Sequence, residues 1–145
     1  MNTLKFAMVA FLVSAAAIAQ ANQTDKFNLR CTGTTQSASN AGKNSEAYEA
    51  IYRVDLAQGK WCESDCEAVH QIAGVQPTQI TLQEDEKDTP SEQSHLSNFI
   101  HRDTGEHFIY SGAKMHTFGI IVTIESRGKC QREDFTGFPV FETKF

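Results

Sequence analysis

The sequence predicts an all-β fold: a small antiparallel meander, closed or nearly closed into a barrel and stapled by two disulfides. Three observations carry this. Apolar and polar residues alternate in short runs along most of the chain. Turn-forming residues interrupt those runs at close spacing, and no long helical period is present. The cysteines form an even set of four: Cys31, Cys62, Cys66 and Cys130.

The first 21 residues stand apart from this pattern. Lys5 is their only charge, Phe6 to Val13 is an unbroken apolar run, and small residues lead to Ala17-Ile18-Ala19 and Ala19-Gln20-Ala21. A positive start, a short apolar stretch and an Ala-x-Ala site are the marks of a secretory signal. A membrane span needs about 20 predominantly apolar residues, and this run is shorter. Residues 1–21 are therefore read as a cleaved signal peptide and 22–145 as a single exported β domain, periplasmic or secreted. Loss of Lys5 takes the net charge from −5 to −6. With no basic block, the chain is not expected to hold nucleic acid or to adhere to anionic membranes by charge. No membrane span is expected in the mature chain.

In the mature region Phe27, Leu29 and Cys31 alternate with Asn28 and Arg30 and predict a first strand. Residues 34–46, rich in Ser, Thr, Asn and Gly, predict a polar loop. Tyr48, Ala50, Tyr52, Val54 and Leu56 share one face of a second strand, followed by a turn into Lys60-Trp61-Cys62. Further strands are expected over 71–75 and 79–83, and residues 84–95 are expected to form an acidic loop. Leu96 to Arg102 and Glu106 to Tyr110 flank Asp103-Thr104-Gly105, a hairpin turn with glycine where φ must be positive. Phe118 to Glu125 is the most apolar run and predicts a strand covered on both faces, ending near Gly128. In a closed meander the first and last strands are neighbours, so Cys31–Cys130 would staple the seam and leave Cys62–Cys66 as a local clip. Phe135, Phe138 and Phe141 are expected to lie as a lid over one barrel end.

Several motifs carry candidate chemistry. Asp103-Thr104-Gly105 matches the aspartic-protease triplet, but that chemistry needs two facing aspartates in apolar strands, so the hairpin turn is the better reading. His101 and His107 flank this turn and would suit a metal pair if they faced each other, but two ligands do not complete a site. The acidic stretch Glu84 to Asp88 lacks the spacing of a calcium loop. No cofactor or metal is therefore expected, and no constellation of an enzyme emerges.

Gly59-Lys60-Trp61 resembles the Gly-x-Trp of lipocalins, which carry small apolar ligands. That likeness implies a ligand pocket beside Trp61. Ser111-Gly112-Ala113-Lys114 resembles the loop of periplasmic inhibitors of C-type lysozyme, whose serine and lysine enter the lysozyme cleft. It implies that Ser111, Gly112 and Lys114 form an inhibitory loop, although Met115 stands where that family has an aromatic residue. Across the mature chain, Phe27 to Gly33, Tyr52-Arg53-Val54-Asp55-Leu56, Gly59-Lys60-Trp61-Cys62, Arg102 to Gly105, Gly128-Lys129-Cys130 and Phe135 to Pro139 together resemble small uncharacterised exported proteins of proteobacteria. The expectation is a non-enzymatic exported binding or accessory protein with an unidentified protein or small-molecule partner. Its alternatives are an inhibitor of a secreted enzyme such as C-type lysozyme, and a carrier of a small apolar ligand.

Overall fold

The computed structural model describes residues 25–140; the expected signal peptide and Phe141 lie outside them. Nine strands form one antiparallel sheet: β1 (Lys26–Ser39), β2 (Gly42–Asp55), β3 (Lys60–Glu63), β4 (His70–Gln71), β5 (Gly74–Val75), β6 (Gln79–Asp88), β7 (Glu92–His101), β8 (Glu106–Met115) and β9 (Ile120–Glu133). The order across the sheet is β4-β3-β2-β1-β9-β8-β7-β6-β5. The first and last strands are thus neighbours, in register with Cys31 opposite Cys130.

The sheet is strongly curled into a half-barrel. Four strand spacings separate β2 from β7, about 19 Å on a flat sheet. Yet Asn98 on β7 donates to the Tyr52 hydroxyl on β2 across only 3.4 Å. The two sheet edges also meet at consecutive residues. Ile72 N–H donates to Gly59 O beside β3, and Ala73 N–H donates to Leu82 O on β6. The expected strand over 71–75 is split for this reason: its first half pairs with β3 and its second with β6.

The core is the concave face of one end of this half-barrel. Phe27, Leu29 and Cys31 of β1 pack with Ala50, Tyr52 and Val54 of β2, with Trp61, and with Ile80, Leu82 and Ile100 from the far side. Leu82 falls where the β6–β7 register shifts between Thr81 and Gln83, an extra residue that bends the strand inward. Beneath the core, Asp55 is buried; it pairs with Lys26 at 3.1 Å and accepts from Gln58 N–H at 3.0 Å in the β2–β3 turn. The second disulfide, Cys62–Cys66, closes the short loop after β3, and both of its cysteines are buried.

Four expectations are corrected. Residues 34–46 and 84–95 are not loops but the outer halves of the β1–β2 and β6–β7 hairpins, with turns only at 40–41 and 89–91. Their polar composition reflects water on both faces rather than irregular backbone. The last strand is not covered on both faces: Ile120, Ile121 and Ile124 are exposed, Phe118 lies in the preceding turn, and the strand runs on through Gly128 to Glu133. The described part of the tail, residues 134–140, does not cap a barrel end. Thr136 accepts from Asn28, and Gly137 O accepts from Arg53 at 2.8 Å, so Phe135 and Phe138 lie along the outer side of β1 and β2.

Candidate functional site

Two constructions stand out within the half-barrel. The first is a buried polar relay. Gly33 on β1 and Gly128 on β9 face each other, with Tyr48 and His107 on the flanking strands in the same cross-strand row. The Tyr48 ring lies over the two glycines: a Cβ on Gly33 would come 2.7 Å from that ring, and one on Gly128 only 2.3 Å from its hydroxyl. The hydroxyl reaches His107 Nδ1 at 2.9 Å, His107 Nε2 meets Asn98 Oδ1 at 2.9 Å, and the Asn98 amide donates onward to Tyr52. Because Asn98 Oδ1 only accepts, Nε2 carries the proton and Nδ1 accepts from Tyr48. Burial pushes His107 down to about 4 and raises both tyrosines above their ordinary range. The ring is therefore neutral at pH 7, with both nitrogens bonded. Ligand atoms of Cys31, Cys130 and His107 lie within 4.8 Å of one another. The sulfurs are joined in the disulfide and both ring nitrogens are engaged, so the cluster offers a metal no free donor. His101 and His107 do not face each other: His107 is inside, and His101 packs edge-on against Phe99 and Phe108.

The second construction is a notch in the barrel wall. β8 begins at Glu106, paired with Lys129, whereas β9 continues beside β1 to Glu133. Past Lys129 the wall on the β8 side therefore ends. The β7–β8 turn closes its upper margin, where Cys130 N–H donates to Gly105 O at 2.7 Å. Gly105 has φ of 70°, and a Cβ there would lie 2.9 Å from Cys130 O, so the turn approaches β9 only with glycine at this position.

Behind the notch lies a cavity of about 260 Å³. Its lining combines apolar Phe27, Leu29, Ile80 and Ile100 with His101, Arg102, Gly105, Cys130 and Arg132. The Arg132 guanidinium stands 4.4 Å from the centre of the Phe27 ring, and Arg102 donates to Gln76 O at 3.2 Å. Two cations thus border an apolar recess on a chain of net negative charge. No match to this chain is found among protein-family models, curated proteins or solved structures.

Of the residues singled out in the sequence, His101, Gly105 and Cys130 border the notch, whereas Trp61, Ser111, Gly112 and Lys114 lie elsewhere. Trp61 is buried in the core, its Nε1 donating to Gln71 O at 3.2 Å, and it packs against Tyr52 and His70. It borders a smaller hollow of about 200 Å³ with His70 and Leu82, not the notch. Ser111, Gly112 and Lys114 do not form a loop. They lie within β8, paired to β7 on one side and β9 on the other, and the turn itself is 116–119. Sequence reading missed Arg132. Its signal was parity, since it continues the inward alternation of Gly128 and Cys130 and lies opposite Leu29.

Proposed function

We propose that the chain is an exported, non-enzymatic binding protein that holds a small amphipathic anion in the notch. The observation behind this is an apolar recess whose lining includes two arginines, Arg102 and Arg132. Binding sites for small molecules combine apolar walls with a few placed polar groups, in volumes of roughly 300–1,000 Å³ for drug-sized ligands. A cavity of about 260 Å³ suits something smaller. Arginine in such a lining offers a fork of donors matched to a carboxylate or a phosphate. The two disulfides fit an oxidising, extracytoplasmic setting.

The reading is tested by calorimetric titration with octanoate, octanol and octylammonium, which share a tail and differ in head-group charge. Octanoate is expected to bind most tightly, and Arg102→Ala to weaken it about tenfold, as loss of a charge-assisted contact does. Equal binding of octanol, or no binding of any of the three, overturns the reading.

A further inference from the structure

At the end of the half-barrel opposite the notch, the β8–β9 turn carries an apolar tip. Phe118 is 74% exposed at its apex, and Met115, Ile120 and Ile121 beside it are also exposed. Met115 and Ile120 are cross-strand partners, as are Lys114 and Ile121. Successive residues of a strand point to opposite faces. Ile120 and Ile121 therefore place apolar side chains on both faces of the hairpin, with Phe118 beyond them.

We propose that this tip inserts into the apolar margin of a lipid bilayer. A protein partner offers a surface to one face of a hairpin, whereas a lipid layer surrounds whatever enters it. Apolar side chains on both faces and at the apex fit the second case. Backbone polar groups are the main obstacle to such insertion, because lipid offers them no partner. Here neighbouring hairpins supply partners. Asn40, in the β1–β2 turn, donates to Gly119 O at 2.9 Å and accepts from Ile121 N–H at 3.1 Å. His116 N–H donates to Ser91 O of the β6–β7 turn at 3.0 Å. Lys114, on the second rung of this hairpin, and Lys43, on the second rung of the neighbouring β1–β2 hairpin, are exposed, and neither forms an ion pair among the described residues. Their long stems let the ammonium groups rest among lipid phosphates while the tip lies deeper. The acidic outer residues of β6, Glu84, Glu86 and Asp88, oppose general adhesion to anionic lipid, so insertion of the tip is the leading contribution. This inference stands independently of any ligand in the notch.

The test uses the oxidised chain from residue 22 onward, which contains every described residue. Phe118→Trp places an indole at the apex. With phosphatidylcholine vesicles its emission is expected to shift to the blue and to be quenched by brominated acyl chains, while buried Trp61 does not respond. In flotation without the added indole, Phe118→Ser is expected to lower the vesicle-bound fraction about tenfold. Unshifted, unquenched emission overturns the proposal, as does equal flotation of Phe118→Ser. So does a dimer in sedimentation that Phe118→Ser dissolves with vesicle binding unchanged, since the tip would then join two copies of the chain.

Discussion

His107 occupies a place that only a neutral ring fills, and its protonation is therefore tied to folding. Burial holds it at about 4 in the folded chain against an ordinary 6.5. Below pH 6.5 the unfolded chain takes up this proton first, so the stability that His107 contributes is complete above that pH and is lost as pH falls toward 4. The difference corresponds to about 3 kcal/mol. His107→Gln keeps a donor toward Asn98 but does not titrate. Its unfolding free energy, measured by urea titration at pH 7 and pH 4.5, is expected to change less between the two than that of the parent. The glycines under Tyr48 are constrained by contact rather than charge. A methyl group on Gly33 would lie 2.1 Å from Arg127 O and 2.5 Å from Gly128 Cα, both backbone atoms. Gly33→Ala is expected to cost more than about 3 kcal/mol in the same titration, because neither neighbour can move without breaking the β1–β9 ladder.

Among the strands, stability follows how many neighbours each one has and how long the pairing runs. β1 has 14 partners on β2 and 12 on β9, whereas β4 and β5 each contribute two residues at the sheet edges. Amide exchange is therefore expected to be fastest, among paired residues, at His70–Gln71 and Gly74–Val75, and slowest through Phe27 to Cys31. Slow exchange at 70–75 would show the seam to be as firm as the central ladder, contrary to this account. The same strands show what was legible in advance. Wherever one face is core, as at Phe27-Leu29-Cys31 and Tyr48 to Val54, alternation gave the strand and the face it buries. Toward the hairpin tips the half-barrel is open and both faces meet water. Thr34 to Ser39 and Glu84 to Asp88 then lose the alternation while keeping the ladder. Gly128 read as a strand end because the Tyr48 ring that covers it lies 80 residues away in sequence. The notch was hidden for a related reason, since it arises from where β8 stops relative to β9 and no local pattern encodes that offset.

For the molecule as a whole, the two disulfides hold very different lengths of chain. Cys31 and Cys130 are separated by 99 residues and join the first strand to the last; Cys62 and Cys66 are separated by four and close one loop. Loop-closure entropy assigns about 4.7 kcal/mol to a ring of roughly 100 residues and about 2 kcal/mol to one of roughly five. The long bond also lies beside the notch: Cys130 lines the cavity and bonds to Gly105 at its upper margin. Its loss is therefore expected to affect folding and ligand binding together. Replacing both Cys31 and Cys130 with alanine should lower unfolding free energy by more than twice as much as the same change at Cys62 and Cys66. Binding of octanoate should weaken only in the first variant, measured below its melting temperature so that both chains are folded. Equal destabilisation by the two pairs would mean that the unfolded chain already keeps its ends together. Unchanged octanoate binding without Cys31–Cys130 would mean that the β1–β9 ladder shapes the notch without help from the bond.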